Sequence, residues 1–130
     1  MNEQQLRVAT PDGEMTTFLA MPDSGGPFPP VILFMDIWGV REELCGVARH
    51  IAAEGYYAVL PNLYYRQGDI ANVFWDSDGR QISLHKLDEE REKIVHDQRK
   101  NLSNDMILSD VTDLIPFIDS QDAAKSGPMG

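Results

Sequence analysis

The sequence predicts an α/β fold in which a β-hairpin precedes a β-α-β-α run. Three observations carry this reading. The unbroken apolar run Val31 to Met35 has the composition of a strand buried on both faces of a parallel sheet. Arg41 to Glu54 follows, with Leu44, Val47, Ala48, Ile51 and Ala52 on one face at helical spacing. A second apolar run, Tyr57 to Leu60, then ends at Pro61. Strand, helix and strand this close together imply a right-handed parallel crossover.

The remaining elements follow from local chemistry. Gln5 to Thr10 and Thr16 to Met21 flank Pro11-Asp12-Gly13. Asp-Gly is a turn signal, and Thr16, Thr17 and Phe18 favour extended backbone, so the segment reads as a hairpin. Pro22 to Pro30 is a loop by its glycines and prolines. Gly39 permits an unusual backbone angle in the Asp36 to Val40 turn. Glu42 and Glu43 suit the first turn of the helix, and Gly55 is its natural stop. Asp76-Ser77-Asp78-Gly79 reads as a turn, and Lys86 to Leu102 as an exposed helix with a narrow stripe of Leu87, Ile94, Val95 and Leu102. Asn104 or Asp105 caps a final helix whose face, Ile107, Val111, Leu114 and Ile118, docks on a sheet. Pro116 kinks that helix or ends its regular part.

The 130 residues suit one domain, with 42% hydrophobic residues for a core. The net charge of −10 disfavours nucleic acid and anionic membrane as partners. No run approaches the length of a membrane span, and the N-terminus lacks a signal peptide's apolar region. Cys45 is the single cysteine, so no intramolecular disulfide is possible, and a reducing, cytoplasmic setting is expected.

Ligands of open α/β sheets bind outside the carboxyl ends of the strands. Asp36 stands at such an end. It reads either as a loop or capping aspartate or as a functional carboxylate. The Ile37-Trp38-Gly39 turn can aim backbone N–H groups at a developing oxyanion. Tyr64, Tyr65 and Arg66 follow the second parallel strand and read as loop packing or as an organic-anion site. Cys45 reads as a small core residue, because a reactive thiolate needs an accessible, electropositive setting. His50, His85 and His96 read as surface residues without metal-ligand spacing. Gly25-Gly26 lacks the Lys-Ser/Thr of a phosphate loop. No metal or organic cofactor is expected.

The PDG hairpin, MDIWGV and EGYYAVLPNLYYRQ together resemble the dienelactone hydrolase family of the α/β-hydrolase fold. In that family a buried strand ends in an acidic residue followed by Ile-aromatic-Gly. A helix and a strand of the type GY-x-x-x-x-P-x-LY-x-R come next. The resemblance is strongest from Gln5 to Gln67 and looser to Ser120. It implies that residues 1–130 are the N-terminal half of an α/β-hydrolase sheet, truncated before the nucleophile elbow. The implied activity is carboxylic ester or lactone hydrolysis, carboxymethylenebutenolidase-like, on a small substrate.

Site residues carry over on the matching positions. Asp36 matches the acidic residue that contacts the nucleophile, which is often the longer Glu. Ile37 matches a backbone oxyanion donor, and Trp38 an aromatic of the pocket. Arg91 is a candidate for binding a substrate carboxylate, and Tyr64 for lining the substrate site. The nucleophile of this family lies on a G-x-[SC]-x-G elbow, a pattern no Ser or Cys of this sequence has. The nucleophile, triad Asp and triad His are therefore expected beyond Gly130, and the chain by itself is expected to be inactive.

A missing neighbour beside Val31 to Met35 leaves a sheet edge prone to pairing and takes away much of the docking surface of the final helix's apolar face. The chain is expected to self-associate or to need a C-terminal portion. The alternative is a non-catalytic truncated module that binds a small ligand or a partner subunit. A free-standing flavodoxin-like binder is a third reading, weakened by the missing third parallel strand and phosphate loop.

Overall fold

The structure, a computed structural model, describes residues 1–36, 39–67 and 88–124, the Gln98 side chain excepted. Strands β1 (Asn2–Thr10) and β2 (Gly13–Met21) form the hairpin. β3 (Pro30–Ile32), helix α1 (Glu42–Ala53) and β4 (Tyr57–Pro61) form the crossover unit. Helices α2 (Glu89–Lys100) and α3 (Asn104–Asp119) follow.

The sheet order is β1-β2-β4-β3. β4 pairs parallel with β3 and antiparallel with β2. The hairpin is longer than turn chemistry alone indicated, with Asn2 opposite Met21 and Thr10 opposite Gly13. β3 is shorter than Val31 to Met35 and lies at the edge. Val31, Ile32 and Leu33 are half-buried and Phe34 is exposed, so the run is not covered on both faces among the described residues.

The period of two along β2 and β4 divides the core. Phe18, Ala20, Ala58 and Leu60 pack with Cys45, Ala48 and Ala52 of α1. Met15, Leu19, Tyr57 and Val59 cluster with Val8, Leu114 and Ile118 on the α3 side. Alternate residues of a strand face opposite sides, and both sides are covered here, which explains the unbroken apolar run of β4.

α1 presents Cys45, Ala48 and Ala52 to the sheet, whereas Val47 is 43% exposed. The buried stripe is thus shifted toward Cys45, because alanines let the helix approach closely. α1 stops at Gly55, with φ of 101°. The N-cap of α3 is Ser103, one residue before the expected Asn104, and its Oγ accepts from Met106 N. α3 continues through Pro116 to Asp119. Its apolar face docks as expected, covered fully at Leu114 and Ile118 and in part at Ile107 and Val111. It docks on the α3 side of the sheet, where each fully buried side chain of this size contributes about 1.5–3 kcal/mol.

α2 buries Val95 and leaves Ile94 exposed, the low packing expected of a charged helix. The expected turn at residues 76–79, Leu87 and His85 lie outside the described residues. Among the described residues no helix is long and apolar enough to cross a membrane.

Candidate active site

The carboxyl ends of the parallel pair β3 and β4 open on one cavity of about 420 Å3, a size suited to a small molecule. Met35 and Asp36 reach it from beyond β3, and Leu63 and Tyr64 from just beyond β4. Arg99 and Leu102, at the end of α2, line it together with Asn104 and Ile107 from the start of α3. The walls are mainly apolar, with a carboxylate, a phenol and a guanidinium among them.

The turn after β3 is closed by Gly39 N donating to Asp36 O at 3.1 Å. Gly39 has φ of 83°, as its place in the turn demanded. A Cβ there would lie 3.4 Å from Cδ2 of Tyr64, so the turn rests closely on that ring. Arg41 precedes α1 and donates from Nη2 to Asp36 Oδ2 at 2.6 Å; it also pairs with Glu43.

Tyr64 is 2% exposed. Its backbone N–H donates to Asn62 Oδ1 at 3.1 Å. Burial pushes its phenol up from the usual value; the Asp36 charge adds to this and Arg99 works against it. Asp36 and Arg99 thus act on the same hydroxyl from opposite signs.

The two neighbours of Tyr64 do different work from an anion site. Arg66 donates from Nη1 and Nη2 to the Asp110 carboxylate at 2.9 and 2.7 Å, and from Nε to Asp12 at 2.8 Å. Tyr65 Oη donates to Asp110 Oδ1 at 2.9 Å and lies 2.8 Å from Thr10 Oγ1. Of the two readings offered for them, Tyr65 and Arg66 follow internal packing and not the organic-anion site. Their polar groups answer a carboxylate that is 1% exposed.

Arg91 sits in the first turn of α2, where it pairs with the capping Asp88, and does not line the cavity. Arg99, two turns later, does; no motif singled it out. Ile37 and Trp38 lie outside the described residues. Cys45 is buried in the α1 core with its thiol pushed up, first by burial and then by Glu42. His50 and His96 are exposed. No group of three His, Cys, Asp or Glu side chains suited to a metal occurs among the described residues.

The family model described as "Dienelactone hydrolase family" matches residues 15–130. A "Putative carboxymethylenebutenolidase" of Methylorubrum extorquens is 39% identical over 69 residues, 53% of this chain and 24% of that protein. A relative of the same name from Escherichia coli (strain K12) is 45% identical over 56 residues, 42% of this chain and 21% of its own length. One from Saccharolobus solfataricus is 26% identical over 147 residues, 98% of this chain and 56% of its own length. The chain therefore spans well under two thirds of these relatives. Among solved structures, a "Putative Dienelactone Hydrolase" from Klebsiella pneumoniae subsp. pneumoniae superposes with a TM-score of 0.68 at 24% identity, covering 89% of this chain and 42% of that one. That likeness is one of fold.

Proposed function

Because the chain belongs to the dienelactone hydrolase family, we propose that it builds one side of an active site that hydrolyses small esters or lactones. The observation that carries this is the cavity joining Asp36, Tyr64 and Arg99 at the carboxyl ends of β3 and β4. Its apolar walls suit the hydrocarbon part of a substrate. Arg99 suits a carboxylate on that substrate, a role the sequence had offered to Arg91.

In this reading a nucleophile from outside these 130 residues attacks the ester carbonyl. The Ile37 N–H is half of an oxyanion hole that holds the tetrahedral intermediate. A histidine, also from outside these residues, moves the proton from nucleophile to leaving group. Asp36 contacts the nucleophile from the strand end, and Trp38 and Tyr64 flank the substrate. The reading requires no metal or organic cofactor. The single, buried cysteine fits a reducing, cytoplasmic setting.

Two measurements on the 130-residue chain test the proposal. 4-Fluorobenzoate, followed by 19F NMR, binds the wild type and binds Arg99→Gln more weakly. p-Nitrophenyl acetate is hydrolysed no faster than in buffer. Turnover abolished by Asp36→Ala would overturn the assignment of the nucleophile to sequence outside this chain. A reading frame continuing past Gly130 into an elbow with Ser or Cys decides for the enzyme over a binding module.

A further inference from the structure

Asp110 is a carboxylate buried to 1% exposure in the middle of α3, on the flank between Ile107 and Leu114. Neither the cavity nor the expected chemistry uses it. Yet it lies one helical turn from Ile107, which lines the cavity. Its partners, Tyr65 and Arg66, directly follow Tyr64, which lines the cavity's other side. The cavity has one wall at the exit of β4 and another at the α2–α3 junction. The Asp110 cluster ties the two together.

The tie is rigid by its chemistry. Arg66 meets Asp110 with two parallel N–H groups, a geometry that fixes orientation as well as distance. Its guanidinium also stacks over the Tyr65 ring, 4.6 Å from the centroid. On the other side, Asn62 holds the same turn through its N–H to Thr16 O at 2.8 Å and its Oδ1 to Tyr64 N. The five residues from Asn62 to Arg66 are thus pinned at both ends, with Tyr64 between the pins.

We propose that Asp110, Arg66 and Tyr65 form a positioning device that fixes Tyr64 against Asn104 and Ile107 and so sets the width of the cavity. The inference rests on the reading of that cavity as a site for a small carboxylate-bearing molecule. None of the three residues need touch the ligand; they act through Tyr64 and the first turns of α3.

The test compares 4-fluorobenzoate binding by the 130-residue chain and its variants. Asp110→Asn and Arg66→Gln each weaken binding by about 3- to 30-fold, the range for residues that act through others. The double variant binds no worse than the weaker single variant, since both changes break one device. Asp12→Asn, which frees Arg66 from the hairpin and not from α3, leaves the affinity within about twofold. Arg66→Lys keeps the charge without the fork and falls between wild type and Arg66→Gln, which covers the case that Asp110→Asn does not fold.

Variants that melt earlier yet bind as tightly as wild type overturn the proposal and leave a purely structural cluster. So does an Asp12→Asn as damaging as Asp110→Asn. If wild type itself fails to bind, the carboxylate-site reading falls, and hydrogen exchange then judges the tie separately. In Arg66→Lys the amides of Tyr64 and Ile107 exchange faster together, while those of Val59 and Leu60 keep their protection; unchanged exchange at both overturns the tie.

Discussion

Arg41 donates to the Asp36 carboxylate at 2.6 Å, bridging the turn between β3 and α1. The two partners are unequal: the Asp36 side chain is 41% exposed and that of Arg41 is 16%. An ion pair with one end in water adds little to stability, whereas the buried arginine stem contributes packing. Asp36→Asn is therefore expected to cost less than about 1 kcal/mol in urea unfolding, and Arg41→Ala more. A loss of several kcal/mol on Asp36→Asn would make the residue structural.

The Arg66–Asp110 pair behaves in the opposite way. With Asp110 wholly inside, Arg66→Ala leaves a buried charge short of its main cation, at a cost of about 3–5 kcal/mol. Replacing both ends together, Arg66→Met with Asp110→Leu, recovers most of that loss. Thermal unfolding of the single and double variants checks this. Additive losses would show that the two residues contribute independently and would overturn the pair as the cause.

Alkaline pH is expected to weaken the fold. Burial is the largest cause raising the Cys45 thiol and the Tyr57, Tyr64 and Tyr65 phenols above 9.0 and 10.0 respectively. The folded chain then holds these protons where the unfolded chain releases them. Their contribution is complete at neutral pH and is lost as pH rises through and beyond those values. Urea midpoints should fall as pH climbs past about 9, and Tyr57→Phe should make the fall shallower. A midpoint that rises over that range would contradict the burial of these groups.

Ala48, Ala52, Ala20 and Ala58 have no exposed surface where α1 meets the sheet. Ala48→Leu is expected to cost about 1–3 kcal/mol by overpacking. Val47→Leu, on the exposed side of α1, should stay within about 0.5 kcal/mol. Chemical denaturation of the two variants separates the faces.

β3 has one strand neighbour among the described residues, and exposed Phe34 lies just beyond it. Such an edge invites pairing. Sedimentation of the 130-residue chain is expected to show concentration-dependent association, and a sharp monomer at all concentrations would remove that expectation.

Much of this was legible in the sequence for local reasons. The hairpin turn, the β3-α1-β4 unit and the stop at Gly55 each follow from residues within a few positions of one another. The acidic strand end was legible because Asp36 interrupts an apolar run. The depth of burial of β3 was not, since it depends on a neighbouring strand rather than on the run itself. Arg99 escaped notice because a charged helix offers many equivalent cations, and the fold selects the one beside Tyr64. Asp110 had a visible signal: a carboxylate set among Ile107, Val111 and Leu114 at helical spacing asks for a cation. Its partner lies 44 residues away, and spacing carries no trace of that.

The strand order β1-β2-β4-β3 has a consequence for folding. β2 finds its second partner in β4, across some forty residues of intervening chain, as in the register of Ala20 with Ala58. A hairpin formed first therefore stays half-paired until β4 joins it, and Leu19 also waits for Leu114 and Ile118 of α3. Non-local pairing of this kind is slow, and the exposed intermediate is prone to aggregate. The hairpin is thus expected to be most open to aggregation before β4 and α3 have docked on it.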